Sequence, residues 1–497
     1  MLSPTRRLPG LRELIDQEHY FVIHAPRQVG KTTALMALAR ELSAEGKHAA
    51  VLVSAEQGQG LELDEAELPI LNEWASAATD LPEPLRPPRW PDAPPGDRVR
   101  SALSAWAEGC PRPLVVFIDE IDALSGQTLV SMLRQLRAGF RRRPEHFPSS
   151  LALVGVRDVR DYKVHPNEQR PQLGTSSPFN IKVESLTMRN FTRDEVAELY
   201  EQHTADTGQV FEAAAVDRAH ELSDGQPWLI NAMARLIVQK IRPDPTQAVV
   251  VADVDEAARQ LIERQDTHLD SLAERLREPR VRAIVEPMLA GTTLGDIPPD
   301  DVRFVVDLGL LRPSEDGGLV VANPIYREVI IRQLSAGPRA SLPHIAPTWI
   351  DGSGELDPSA LADAFMAFWR QHGDAMLGSA PYHEVAAQLV LMAFLHRVVN
   401  GGGSIEREYA LGRGRMDLCL RLGSVTIGME LKVWRDGAAD PLARGLVQLD
   451  GYLEGLGLPS GWLVVFDRRK SAGAASTRTR REAARSPAGR DVLVIRA

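Results

Sequence analysis

Tyr20–Thr33 reads YFVIHAPRQVGKTT. Its opening run, YFVIH, is apolar enough to be a strand buried on both faces of a parallel sheet. Ala25-Pro26-Arg27-Gln28-Val29-Gly30 then forms a glycine-containing turn, and Lys31-Thr32-Thr33 opens a helix. In that order, consecutive backbone N–H groups and the positive end of the helix cradle phosphate oxygens. Lys31 places a point charge on the β- and γ-phosphates of ATP, and Thr32 offers a hydroxyl to Mg2+. Ala25 stands where the usual pattern has glycine, so a methyl group bears on the turn.

Further apolar runs at Ala49–Ser54, Leu114–Ile118 and Leu151–Val156 extend the pattern to a parallel sheet covered by helices on both faces. Asp119 and Glu120 end the third run. There the first carboxylate can orient the Mg2+ water shell and the second can activate an attacking water; a solvated strand end is the plain alternative. Arg157, after the fourth run, is placed to sense a γ-phosphate, and Pro227 starts a helix where it can pack on adenine. A surface arginine and a simple helix-start proline account for these two residues equally well. Residues 81–98 carry seven prolines and are expected to be an exposed, irregular insertion.

From Thr192 the pattern turns helical. Thr192 and Glu195 form a capping box, and further helices are expected at 212–222, 227–241 and 253–276. Residues 280–334 read helix, helix, hairpin, with SEDGG as the turn, which is the pattern of a winged helix. The quoted residues, with VFIDEID, GVRD and GQPWLI, resemble the AAA+/STAND-type ATPases of prokaryotes over roughly residues 8–335. The resemblance implies an ATPase core, a helical lid and a winged helix that reports nucleotide state. It assigns Asp119 to magnesium, Glu120 to the base, Lys31 and Thr32 to phosphate and its metal, and Arg157 to the sensor. Asp300, Asp301 and Asp307 against the single Arg303 make the second winged helix a poor groove binder, and an intramolecular or partner-docking role follows.

The C-terminal stretch GRGRMDLCLRL, VTIGMELKVW and QLDGY carries a second chemistry. Alternation puts Glu430 and Lys432 on one strand face, and a hairpin turning at Gly423 brings Asp417 to Glu430. Two carboxylates with the Leu431 carbonyl can hold Mg2+, and Lys432 can orient water or steady charge on phosphorus. Gln448 and Tyr452 lie one helical turn apart, facing one way with Arg444, and are expected to grip a substrate backbone. Glu384 either completes the metal shell or is a first-turn helix acid, while Glu406 and Glu408 read as solvated. A salt-bridged sheet surface is the plain alternative for the whole set. The arrangement over residues 380–467 resembles the PD-(D/E)XK nuclease superfamily, with Met416 at the proline of its name, and the Q-x-x-x-Y resembles its RecB-type members. That resemblance implies an active, metal-dependent nuclease. The basic, Ala/Ser-rich stretch before residue 491 is expected to be a flexible arm for phosphate contact.

The fold class read from the chain is therefore α/β: a P-loop NTPase core at 1–186, a helical lid at 187–278 and a winged helix at 279–335. A connector at 336–378, with a helix at Pro358–Gln371, and an α/β restriction-endonuclease-like domain at 379–497 complete it. The chain has 497 residues and a net charge of −10, so contact with DNA must be local; Arg141–Arg143 and Arg468–Arg490 are the candidate patches. Two distant cysteines, Cys110 and Cys419, exclude a disulfide framework or a zinc site. No apolar run spans a bilayer, and no secretion signal opens the chain, so a cytoplasmic protein without membrane contact is expected. The reading is an ATP-driven switch gating a Mg2+-dependent DNA endonuclease, able to form a homo-oligomer or dock a protein partner through the winged helix. The resemblance suggests defence or mobile-element biology. The rivals are a signalling or scaffolding ATPase whose nuclease-like domain only binds DNA or protein, and a DNA motor or loader without cleavage.

Overall fold

The computed structural model describes residues 4–157, 179, 181–264, 267–289, 297–314, 317–341, 347–352, 354–379, 386–399, 404–408, 417–469 and 471–497. It divides into two compact units. The first comprises Met1–His268 with Val302–Arg312 and Val321–Ile325; the second comprises Leu269–Asp301, Pro313–Val320 and Tyr326–Ala497.

In the first unit, strands β1 (Tyr20–His24), β2 (Ala49–Ser54), β3 (Leu114–Asp119), β4 (Ser150–Gly155) and β5 (Glu184–Thr187) form one sheet in the order β2-β3-β4-β1-β5. Every pairing is parallel. Alternate residues feed two cores: Tyr20, Val22, Val116 and Ile118 face Trp74 and Trp106, while Phe21, Ile23, Val115 and Phe117 face Leu35 and Leu38. This two-sided burial is why the strands read as unbroken apolar runs. Helices α1 (Leu11–Asp16), α2 (Lys31–Ala44), α3 (Leu63–Ala77), α4 (Arg98–Gly109) and α5 (Gly126–Gly139) accompany the sheet.

The proline-rich stretch departs from the expected exposed insertion. It has one short 3-10 turn, Glu83–Leu85, and is fastened down. Trp90 packs against Trp106 with ring centroids 5.9 Å apart and donates from Nε1 to the Leu71 carbonyl at 3.0 Å. Gly96 N–H donates to the buried Glu67 carboxylate at 2.9 Å. Prolines prevented a ladder or helix but not burial of the aromatic and aliphatic residues between them.

The lid-like helices are α6 (Arg193–Thr207), α7 (Ala213–Ser223), α8 (Pro227–Leu236, continued by a π-turn at Ile237–Ile241) and α9 (Val251–Arg264). The capping box stands as read: Glu195 N–H donates to Thr192 Oγ1, and Thr192 N–H to Glu195 Oε2. The single helix expected at 253–276 is instead α9 followed by α10 (Thr267–Arg275). Then come α11 (Pro279–Leu289), α12 (Pro299–Asp307), a hairpin of β6 (Leu311–Pro313) with β7 (Leu319–Val321), and α13 (Pro324–Ser341).

The second unit holds α14 (Pro358–Ser379), α15 (Ala386–Val399), β8 (Ser404–Glu408), β9 (Asp417–Leu422), β10 (Val425–Trp434), α16 (Leu442–Leu456), β11 (Ser460–Asp467), α17 (Ala475–Arg478), β12 (Arg480–Arg485) and β13 (Asp491–Arg496). Its six strands run β12-β13-β11-β10-β9-β8. β8, β9 and β10 form an antiparallel meander, β11 and β13 lie parallel to β10, and β12 turns back against β13. The expected flexible arm is therefore ordered. Arg480–Arg485 is an edge strand whose charges protect an otherwise open hydrogen-bonding edge. Its weak strand formers, Arg, Glu and Ala, hid it from a composition-based reading. Among the described residues no helix is long and apolar enough to cross a membrane.

Glu195 ties the cap to Arg189, which donates to it through both Nη atoms. That bond, with burial opposing it, holds the Glu195 carboxyl at about 2, below its ordinary 4.5. A depressed carboxyl contributes stability above about pH 4.5 that disappears as pH falls toward 2. Glu195→Gln should cost roughly 1–2 kcal/mol at pH 7, discounted for the partly exposed arginine. Urea unfolding across pH 7 to pH 2 should show wild type and variant converging in that window.

Candidate functional sites at the strand ends

The turn after β1 and the end of β3 flank the intervening strand β4. Gln28 and Gly30 take positive φ, 59° and 89°, whereas Ala25 does not, so its methyl group is accommodated. Gly30 is needed for conformation, since an added Cβ would meet nothing closer than Arg7 Nη1 at 3.7 Å. Arg27, Gln28, Thr32 and Thr33 are exposed, while Ala25, Val29 and Lys31 are buried and Pro26 is half-buried. Lys31 Nζ donates to the Ala25 and Pro26 carbonyls at 2.8 and 3.0 Å, and burial lowers its pKa. Thr32 Oγ1 donates to Asp119 Oδ2 at 2.6 Å. Asp119 Oδ1 accepts from the Glu120 N–H at 2.9 Å, which helps hold Glu120 at φ 52°. Burial first, then Asp122 and Asp119, raises the Glu120 carboxyl.

Lys31, Thr32, Asp119 and Glu120 are thus brought to one corner. Arg157 lies elsewhere in its surroundings than a bare surface residue would: its guanidinium sits 5.0 Å from the Phe304 ring centroid. Pro227 is buried in the first turn of α8. Beside it, Gln226 Oε1 caps α8 through the Leu229 N–H, and its Nε2 reaches the Gln28 carbonyl at 3.5 Å.

Two contacts here had no signal in the sequence. Arg7 is 6% exposed and donates to the Val29 carbonyl of the turn (2.8 Å) and to the Arg189 carbonyl (2.7 and 2.8 Å). Its guanidinium lies 4.6 Å from the Phe191 ring centroid, and burial brings its pKa down to about 10. Gly309, after α12, has φ 75°, and an added Cβ would lie 2.6 Å from the Pro26 ring. The phosphate-type turn is therefore gripped by the N-terminal segment and touched by the residues after α12. Neither a lone arginine nor a lone glycine has a spacing by which it could be found.

The second constellation is centred on β10. The β9–β10 register sets Asp417 directly opposite Glu430. Glu430 is fully buried in mid-sheet and its Oε1 accepts from Lys432 Nζ, whose side chain is 14% exposed. Leu431 is buried between them, its side chain on the opposite strand face. Gln448 and Tyr452 are buried on α16 and held against the sheet, while Arg444 stays exposed. The 448/452 face of α16 packs on β10 and β11: a Cβ on Gly428 would lie 3.5 Å from Tyr452 Cε1, and one on Gly445 2.7 Å from Leu463. Gln448 Oε1 has no hydrogen-bond partner among the described residues. Glu384 lies outside the described residues. No group of three or more His, Cys, Asp or Glu side chains suited to a metal occurs among the described residues.

The oxygen donors of each corner suit a hard cation such as Mg2+. Thr32 and Asp119 already share a hydrogen bond in the first. In the second, a buried carboxylate demands a positive partner, and Lys432 supplies it.

No known family profile matches the chain, and no curated protein matches it. Among solved structures it is similar to the Walker-type ATPase PABY2304 of Pyrococcus abyssi, with 15% identity, TM-score 0.46, and coverage of 66% of this chain and 94% of that one. The RuvB Holliday junction branch migration motor of Thermotoga maritima matches at 15% identity and TM-score 0.36, covering 66% and 92%. Cdc6p of Pyrobaculum aerophilum matches at 12% identity and TM-score 0.37, covering 67% and 96%. These likenesses are loose. The parallel five-stranded sheet with its strand–turn–helix at β1 is by itself the arrangement of a P-loop NTPase.

Lys432→Ala should leave Glu430 buried without its cation and cost about 3–5 kcal/mol. Adding Glu430→Gln should recover most of the loss. Denaturant titrations of the single and double variants test this, and equal stability of Lys432→Ala and wild type would contradict it.

Proposed function

We propose that the chain is an ATP-driven switch coupled to a Mg2+-dependent DNA endonuclease. The observation that carries the nuclease half is the register of Asp417 opposite Glu430, with Lys432 bonded to that buried carboxylate. The order α15, β8, β9, β10, α16, β11 supports it, since a three-strand meander, a crossover helix and a parallel strand are what a PD-(D/E)XK core requires.

In the nucleotide corner Lys31 would exchange its carbonyl partners for β- and γ-phosphate oxygens, and the turn's N–H groups would bind the remainder. Thr32 and Asp119 would hold Mg2+, which when bound supplies charge neutralisation on the phosphates. Glu120, with its raised carboxyl, would accept the proton of the attacking water. Arg157 would bias the pocket toward the γ-phosphate. Because Pro26 touches Gly309 and Arg157 lies over Phe304, nucleotide-dependent movement of the turn would be felt by α12. That favours an intramolecular role for the winged-helix segment.

In the other corner Asp417 and Glu430 would hold Mg2+, whose chemistry is to polarise the scissile phosphodiester. Lys432 would release Glu430 and place its ammonium beside the phosphorus. Gln448 and Tyr452 would pack on the face of β10 that carries Glu430 and Lys432.

Supercoiled plasmid incubated with Mg2+, with and without ATP, tests both halves. Wild type should nick it, Asp417→Ala should lower the rate at least about 100-fold, and Lys31→Ala should abolish the difference made by ATP. Intact plasmid under every nucleotide condition would refute the nuclease half.

A further inference from the structure

The C-terminal ends of β10, β11 and β13 meet at one edge of the six-stranded sheet, and basic residues collect there. Lys432 pairs with Val465, and Val465 with Arg496; Trp434 pairs with Asp467. Arg435 and Arg468 follow these last two residues, and the Arg468 N–H donates to the Trp434 carbonyl at 2.8 Å, so both leave the sheet together. Arg478, ending α17, bonds Asp374 of α14 at 3.3 Å, and both bear on the charge of Arg468.

Most cations of this edge are neutralised. Arg469 pairs with Asp467 at 2.7 Å and lies 3.4 Å over the Trp434 ring. Arg496 pairs with Asp440 at 2.8 Å and Glu482 at 3.2 Å, and Arg480 with Glu482 at 2.8 Å. Arg435, Arg468 and Arg478 are the remainder. Among the described residues the one carboxylate bonded to any of them is Asp374, 3.3 Å from Arg478 Nη2 and also bonded to the Ala475 N–H. Asp436, beside Arg435, is exposed. Burial, then the charges of Arg478 and Arg435, pull Arg468 below its ordinary pKa. Three like charges around one acid are an unfavourable arrangement unless an anion completes it.

Elsewhere in the two patches that composition alone suggests, five arginines are already committed. Arg142 pairs with Glu108, and Arg143 donates to the Phe140 and Glu18 carbonyls while lying over Phe140. Arg481 pairs with Asp363, Arg485 with Asp491 and Arg490 with Asp450. In a chain of net charge −10, attraction to a polyanion must come from cations not so committed.

We infer that Arg435, Arg468 and Arg478 form a backbone-phosphate subsite that holds the DNA strand beside the position cut at Lys432, an inference that rests on the nuclease reading. Arg435 stands three residues beyond Lys432, one past the end of β10, at most about 10 Å at the rise of a β-strand. At roughly 3.4 Å of axial rise per phosphate, a strand seated at Lys432 reaches the arginines about three phosphates away. Guanidinium groups suit this task, since each offers two parallel donors to one phosphate.

The test is binding of a fluorescein-labelled 30-base-pair duplex, followed by anisotropy over a salt series with Ca2+ in place of Mg2+. Arg435→Gln/Arg468→Gln should weaken binding about tenfold or more and reduce the salt slope by about 2. Arg435→Lys/Arg468→Lys should keep the slope, and Arg141→Gln/Arg142→Gln, of equal charge loss, should behave as wild type. Wild-type affinity and slope in the glutamine variant would overturn the subsite while leaving the nuclease reading intact. A wild-type protein that binds no duplex would overturn both. Should the glutamine variant fail to fold, phenylglyoxal labelling of wild type decides: duplex should shield Arg435 and Arg468, and undiminished labelling would refute the assignment.

Discussion

Strands buried on both faces leave polar chemistry mostly to their ends, and the exception, Glu430 in mid-β10, is buried only with Lys432 bonded to it. β1 and β3 place apolar side chains alternately in two cores, so the first residues free to carry charge are those just past each strand. Lys31, Thr32, Asp119 and Glu120 all occupy such positions. The hydrogen bond from Thr32 to Asp119 joins two strand ends separated by β4, and it is available because parallel strands finish on the same side. β10, β11 and β13 obey the same rule at the other sheet, where Lys432, Arg435, Arg468 and Arg496 gather at the ends of parallel neighbours. Had β10, β11 and β13 run antiparallel to one another, these groups would have been divided between two edges.

The turn between β1 and α2 has little latitude of its own. Two of its residues are left-handed, and Gln28 is one without the freedom of glycine. Its shape is therefore set by its neighbours: Arg7 on the Val29 carbonyl, Gln226 near the Gln28 carbonyl, and the Gly309 backbone against Pro26. Gly225 holds this neighbourhood closed. With φ 67° and room for a Cβ only 1.9 Å from the Phe191 carbonyl oxygen, the position admits no side chain, and the Phe191 N–H donates to the Gly225 carbonyl. A ligand that rearranges the turn must disturb the N-terminal segment, the start of α8 and the end of α12 together.

Sequence periodicity revealed the parallel sheet because burial on both faces writes an unmistakable apolar run, and it revealed the capping box because both partners lie within one helical turn. The pairing of Asp417 with Glu430 was also legible, since a glycine between two short alternating strands fixes the register. β5 was not, because ESLT is short and mostly solvated at the sheet edge. β12 was missed for its composition, and Trp90 because a proline-rich segment has no period from which burial can be read. Arg7, Gly309 and the Arg435–Arg468 pair depend on contacts distant in sequence. The burial of Gln448 and Tyr452 was not legible for a different reason: helical spacing tells which residues share a face, but not which face meets the sheet.

The Glu430–Lys432 pair is the least economical feature of the second unit and therefore the most informative. Glu430 sits beside Leu463 in the β10–β11 register, on a strand face otherwise packed with aliphatic side chains from α16. Apolar residues of similar volume at both positions would fold at least as well, because removing two ions from water offsets much of their mutual attraction. A contribution to stability does not explain the pair. What it does provide is a desolvated carboxylate, held opposite a second acid, whose present cation is on a flexible stem that still reaches solvent. Under the proposed function, lysine would withdraw from such a site where a fixed guanidinium would not, leaving an oxygen ligand for a metal ion and an ammonium group close by. On that reasoning the pair fits the proposed chemistry better than a role in holding the fold together.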